Sequence, residues 1–293
     1  MRNLLTILAA TSALFCAHAA HAADSIGLCT GTKDGLYFGA GQSIAQAGGK
    51  SLGVTVIPSA GSWENLKAVA DGTRCQAAIV QGDSLVAFAR TNGGEARALR
   101  RATSLHKEYA HVICNRKSGI SDAYDLMSDN KHPLAIGEEG GGSWITEQNW
   151  AALNKEFAKV PLIPEGGAIA AGMVADGNGA SCMLYVSGLR SPAVSKINET
   201  YGAEMHLVPA TGRLFRNAVN EKGEKLYEME DIPAGTYSKL NPKGTFGGGG
   251  VEVPTMRAVL VVNATALGQD RYTALMDAVG RARARILADA GEK

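Results

Sequence analysis

The tripeptide Gly-Ser-Trp occurs twice in the chain, as Gly61-Ser62-Trp63 and as Gly142-Ser143-Trp144. Each copy follows a β-branched or apolar run and precedes an amphipathic stretch, in VTVIPSAGSWENLKAVADG and in PLAIGEEGGGSWITEQNW. A strand that turns into a helix in this way leaves free backbone N–H groups and a serine hydroxyl at the helix N-terminus, which suits an anion. Two such turns far apart in the chain predict two lobes, each offering one helix start to a shared ligand. A serine at such a place can also act purely as a helix cap. Trp63 and Trp144 either wall the ligand from opposite lobes or pack the helix starts.

A third small-residue turn, CTGTKDGLY at 29–37, follows the first predicted strand. It has neither the G-x-G-x-x-G spacing of a dinucleotide site nor the Lys-Ser/Thr ending of a P-loop. The N–H groups around Gly31 and the hydroxyls of Thr30 and Thr32 suit a carboxylate. Lys33 reads as a solvated side chain, and Tyr37 faces either ligand or core. Gln81 and Asp83 stand at the carboxyl end of the third predicted strand, where one of them could accept from a ligand amine or hydroxyl. Glu138 and Glu139 beside the second Gly-Ser-Trp disfavour a highly charged anion. The mixed lining fits a zwitterion or a monoanion better than a phosphate.

An enzyme is the alternative of another class. Gly82-Asp83-Ser84-Leu85 spells the nucleophile block of GDSL-like hydrolases, and Asp129-Asn130-Lys131-His132 spells a D-x-x-H. A serine esterase would use Ser84 as nucleophile and His132 as base. Against it, the D-x-x-H follows closely behind the serine, whereas that family has it near the chain end, and the intermediate blocks are missing. His106, His111 and His206 are isolated, and no G-x-S-x-G or H-E-x-x-H is present. No Cys/His cluster has zinc spacing, so neither a metal nor a cofactor is expected.

These residues must be positioned by a chain of 293 residues, 45% hydrophobic and 19% charged, long enough for a large core. The first 23 residues read as a secretory signal peptide: Arg2, an apolar run over 4–15, and Ala20-His21-Ala22 as an A-x-A cleavage site. Bulky Phe15 before Cys16 disfavours a lipoprotein. Without Arg2 the 28 remaining bases balance the 28 acids. A neutral chain without a basic block argues against nucleic acid as a partner. Four cysteines remain after cleavage, Cys29, Cys75, Cys114 and Cys182, and an even number in an oxidising compartment favours two disulfides. Of three possible pairings, Cys29–Cys75 with Cys114–Cys182 is favoured, because each then joins predicted strands within one lobe.

Strand signals fall at 25–29, 53–57, 76–80, 111–115, 133–137, 160–163, 181–186, 205–208 and 257–262. Helix-period stretches fall at 36–47, 63–70, 85–90, 144–157, 169–175, 193–201 and 270–288. The alternation predicts parallel sheets with helices on their faces, and ligand binding off the carboxyl ends of the strands. The run KGTFGGGG at 243–250 reads as a mobile loop before a return crossing; the first crossing falls near 106–114. Two crossings between two lobes make a hinge.

The order of IGLCTGTKDGLYFGAGQSIAQ, VIPSAGSWENLKAVADG, CQAAIVQGDS, HVICNRKSGISDAYDL and IGEEGGGSW resembles TAXI-type (TRAP-associated extracytoplasmic immunogenic) solute-binding proteins over nearly the whole mature chain. The resemblance implies a type II periplasmic-binding-protein fold: signal peptide 1–23, lobe 1 of 24–110 plus 256–293, and lobe 2 of 111–255. It implies a periplasmic receptor for a small acid or amino acid, of the glutamate or 2-oxoglutarate kind, that delivers to an ion-gradient-driven TRAP permease in the membrane. It gives Thr30, Gly31, Thr32, Tyr37, Ser59, Gly61, Ser62, Asn65, Gln81, Gly142 and Ser143 as site residues. Lys33 and Asp34 stand where glycine is usual, and Cys29 and Cys75 where cysteine is not. A receptor for an ABC importer or a sensor kinase would share the fold.

Overall fold

A computed structural model of the protein describes residues 25–128, 131–220, 223–244 and 248–292. The leader expected at 1–23, Asp129 of the D-x-x-H, and 245–247 of the glycine-rich loop lie outside the described residues.

The first stretch runs β1 (Ser25–Cys29), α1 (Leu36–Gly48), β2 (Gly53–Ile57), α2 (Ser62–Asp71), β3 (Ala77–Gln81), α3 (Ser84–Thr91), α4 (Gly93–Ala96) and the long β4 (Leu99–Asn115). The second runs β5 (Leu134–Ala135), α5 (Gly142–Leu153), β6 (Leu162–Ile163), α6 (Gly167–Asp176), β7 (Cys182–Ser187), α7 (Pro192–Tyr201), β8 (Met205–Val208), α8 (Arg213–Arg216) and β9 (Glu228–Ile232). The chain then returns through β10 (Val251–Asn263), α9 (Ala264–Leu267) and α10 (Gln269–Asp289).

All ten strands join one sheet in the order β2-β1-β3-β10-β4-β7-β5-β6, with β8 also on β4 and β9 on β10. The expected parallel pairing holds for β1, β2 and β3 and for β5, β6 and β7. The strands between those triplets differ from the expectation. β4 and β10 run antiparallel to each other, β10 antiparallel to β3 and β4 antiparallel to β7, because one leaves the first half of the sheet and the other returns to it. β4 pairs with β10 up to Tyr109 and with β7 from Tyr109 onward. β10 pairs with β9 up to Thr255 and with β3 from Ala258. Both strands change partners at one level. There Arg257 faces Lys107 but Val259 faces Ser104, so Leu105 and His106 together oppose Ala258 as a β-bulge.

The buried residues divide at the same level. Leu28, Ile44, Leu105, Leu260 and Leu275 pack on one face of the first half, and Leu66, Val80, Phe88 and Val259 on the other. Val112, Leu134, Trp150, Leu184 and Phe215 fill one face of the second half, and Ile113, Val174, Met183 and Ile197 its opposite face. Burial of each such aliphatic or aromatic side chain contributes roughly 1.5–3 kcal/mol. In α10, Leu275, Val279, Ala282 and Ile286 form the buried stripe that their spacing predicts. The disulfides are the favoured pair. Cys29–Cys75 spans 5.8 Å between Cα atoms, and Cys114–Cys182 spans 4.0 Å across the β4–β7 ladder. Among the described residues no helix is long and apolar enough to cross a membrane.

Candidate functional site

A cavity of about 270 Å³ lies between the two halves of the sheet, at the carboxyl ends of β3 and β7. Four helices start at its wall: α1 behind Gly35, α2 behind Gly61, α5 behind Gly141 and α7 behind Ser191. The first three have no side-chain cap, and α1, α5 and α7 carry no acid in their first turn. In α2 the Trp63 N–H is taken by Gly140 O and Glu64 sits in the first turn, so the N–H groups at the starts of α1 and α5, with the positive ends of their dipoles, are the ones left to a ligand.

Neither Gly-Ser-Trp serine caps its helix. The Gln81 backbone N–H donates to Ser62 Oγ at 3.0 Å, and the Val186 N–H donates to Ser143 Oγ at 3.1 Å. Each serine thus ties its helix start to the end of the neighbouring strand, β3 or β7, in matching geometry. Accepting there leaves each hydroxyl proton to donate elsewhere.

Of the expected site residues, Gly31, Thr32, Tyr37, Gly61, Ser62, Gln81, Gly142 and Ser143 line the cavity. Thr30, Ser59 and Asn65 do not; they brace the first turn from behind. The Thr30 hydroxyl donates to Ile57 O at 3.0 Å, Ser59 Oγ donates to Thr30 O at 2.8 Å, and the Asn65 amide donates to Thr30 O and Ile79 O. Trp63 and Trp144 do not wall the cavity either. Their rings meet edge-on at 6.0 Å between centroids, with Phe88 against Trp63 at 5.3 Å, so they seal the two halves together.

Asp83 is likewise displaced from the expected role. It is 1% exposed, and its carboxylate accepts from Gln81 Nε2 at 2.7 Å, Thr146 Oγ1 at 3.0 Å and Tyr227 OH at 3.0 Å. Thr146 and Tyr227 belong to the second half, so Asp83 is a knot between the halves. Burial raises its pKa, and these three hydrogen bonds oppose the rise. The Asn149 amide donates to Asp83 O at 3.1 Å, and Arg90 donates to Asn149 Oδ1 at 2.7 Å. Gln81 Nε2 also reaches Gly142 O at 3.2 Å and Thr146 Oγ1 at 2.7 Å, and Trp63 N–H reaches Gly140 O at 3.3 Å. The halves are closed on each other.

Glu108, Tyr185, Ser187 and Ser191, which no motif marks in the sequence, also line the cavity. Glu108 is buried in β4, and Tyr37 OH donates to its Oε2 at 2.9 Å. Burial pushes the Glu108 carboxyl up to about 8; the Tyr37 bond opposes this and nearby Asp83 adds to it. His106 Nε2 lies 4.0 Å from Glu108 Oε1. That contact is not an ion pair at neutral pH, because burial and then Arg257 hold His106 down to about 4. The one signal in the sequence was a glutamate inside the expected first crossing.

The esterase alternative loses its nucleophile. Ser84 is fully buried and its hydroxyl donates to Gln81 O, while His132 acts on Asp125. Among the described residues no group of three or more His, Cys, Asp or Glu could hold a metal. A larger recess of about 730 Å³ opens on the other face of the crossing strands, beside Lys107 and Arg257. Those cations are paired with Glu230 and Glu292. The smaller cavity, with its uncapped helix starts, is the better ligand site.

Solved structures share this architecture. A protein of Bordetella bronchiseptica RB50 is 17% identical, with 88% of this chain and 70% of that one covered at a TM-score of 0.52. The substrate binding protein of an amino acid ABC transporter is 11% identical, with 91% and 96% covered at 0.50. A binding protein component of an ABC phosphonate transporter from Pseudomonas aeruginosa is 11% identical, with 90% and 78% covered at 0.53. At such identities the likeness is one of fold, the mixed α/β fold of periplasmic solute-binding proteins. The comparison with curated proteins found no match. The NMT1-like family model, however, matches residues 28–251, which takes in every residue of the cavity wall, and the chain belongs to the NMT1-like family.

Proposed function

We propose that the protein is an exported, periplasmic receptor of the TAXI type, which captures a small carboxylate or amino acid between its lobes and delivers it to a TRAP permease. The observation that carries this reading is the convergence of two free helix starts, one from each half, on one small cavity. Backbone N–H groups aimed inward bind a carboxylate without charged side chains. A cavity of about 270 Å³ sits at the small end of ligand pockets. In this reading 24–110 plus 256–293 and 111–255 are the moving lobes, β4 and β10 are the hinge, and the ligand's differential affinity for the closed form drives closure. The resemblance of the motif order to that of TAXI proteins supports glutamate-like and 2-oxoglutarate-like ligands and an ion-gradient-driven partner.

Calorimetry of the purified protein against amino acids, mono- and dicarboxylates is expected to find a ligand. Binding of none of them would overturn the reading. Co-purification from membranes that hold a candidate TRAP permease checks the partner separately.

A further inference from the structure

We propose that Glu108 selects the ligand: its carboxyl receives the protonated amine of a zwitterionic solute whose carboxylate rests on the helix starts, so that zwitterions are taken in preference to the matching acids without an amine. This rests on the reading of the cavity as a solute site.

The charged side chains among the described lining residues are Asp34 and Glu108, both acidic, and the lining includes no lysine or arginine. Asp34 is exposed at the mouth, whereas Glu108 is 4% exposed. The positive character of the site therefore comes from the backbone, at the starts of α1 and α5. Its negative character comes from one carboxyl. A dicarboxylate finds a cradle for one of its groups and an acid in front of the other. An ammonium–carboxylate pair finds a complement for both.

Glu108 also lacks a cation of its own. Tyr37, from α1, is its one hydrogen-bond donor among the described residues. Asp83, from the end of β3, is a second acid nearby, and Ser62, from α2, is uncharged. His106, on the same strand, is neutral, and neither of its ring nitrogens has a partner among the described residues. Arg257, on β10, acts on His106 and pairs with Glu292. A buried carboxyl in such surroundings keeps its proton until a cation arrives. Arrival of an ammonium group converts Glu108–COOH into a carboxylate paired with the ligand, and the proton leaves to solvent. Binding therefore tightens as pH rises toward about 8, the value to which the empty site is raised.

The test is calorimetry with matched pairs: glutamate against 2-oxoglutarate, aspartate against succinate, and alanine against propionate. Each is run at pH 7 in buffers of different ionisation enthalpy. The amine-bearing member is expected to bind at least about tenfold more tightly, the scale of a buried charge pair, and to release close to one proton. Glu108→Gln is expected to abolish both the preference and the proton release. Tyr37→Phe is expected to keep the preference while moving the pH at which release occurs. Equal or tighter binding of the amine-free acids overturns the proposal and leaves the receptor reading intact, as does a preference that survives in Glu108→Gln. Binding of neither member of any pair overturns both. The wild-type buffer series decides the matter even if Glu108→Gln does not fold.

Discussion

Ser62 and Ser143 occupy matching places at the cavity wall, each accepting a backbone hydrogen bond from the end of a strand. A hydrogen bond of this kind contributes about 0.5–1.5 kcal/mol. Ser62→Ala and Ser143→Ala should each weaken binding roughly two- to tenfold, measured by titration; unchanged affinity in both would remove the serines from the site. The titrating residues make a second prediction. Burial raises Glu108 to about 8 and Glu147 to about 7, so between 4.5 and those values the native state holds protons that the unfolded chain has lost. Stability from these groups is fully present below 4.5 and declines as pH rises through that window. Burial lowers His106 and His111 to about 4, so below 6.5 the unfolded chain takes up protons that the native state refuses, and stability is lost as pH falls. Melting curves from pH 4 to 9 should therefore fall on both sides of a maximum, with a shallower alkaline side in Glu108→Gln. The cavity glycines and serines were legible because small residues between a strand and a helix have few other uses. Glu108 was not, since a glutamate in LHKEY looks like any solvated residue until the fold buries it.

Helix starts and crossing strands set the site at the scale of elements. Gly61 has φ of 143°, and a Cβ there would lie 3.3 Å from Gly140 O of the opposite half. A Cβ on Gly142 would lie 2.5 Å from Gln81 Oε1. Gly142→Ala should hold the halves apart at a cost of about 1–3 kcal/mol. Affinity should fall by tenfold or more, and solution scattering should show a more extended particle; a compact particle with full affinity would mean that Gln81 yields instead. The helices follow their predicted ranges closely, because apolar spacing along each is a local property. β4 does not. Its first half, LRRATSLHKE, lacks the alternation of a half-buried strand. Lys107 and Glu108 face recesses on opposite sides of the sheet, so polar residues are tolerated on both faces, and the pattern that normally marks a strand is absent.

The closed arrangement belongs to the whole molecule. Asp83 gathers donors from Gln81, Thr146 and Tyr227, and the Trp63–Trp144 contact also joins the halves. Asp83→Asn puts an amide in place of an acceptor among those donors, at a cost of about 1–3 kcal/mol. It should lower both affinity and the melting temperature although Asp83 does not line the cavity; an unchanged affinity would mean that closure does not depend on this knot. By itself the sequence determined the order and type of most elements, the favoured disulfides and the small residues at the turns, since all of these follow from local periodicity, turn chemistry and cysteine number. The tertiary structure alone decided that β4 and β10 run antiparallel through one sheet, that Asp83 and the tryptophans join its two halves, and that Glu108 lines the cavity. Those outcomes depend on which surfaces meet when residues far apart in the chain pack together, and burial of a charge is a property of that meeting.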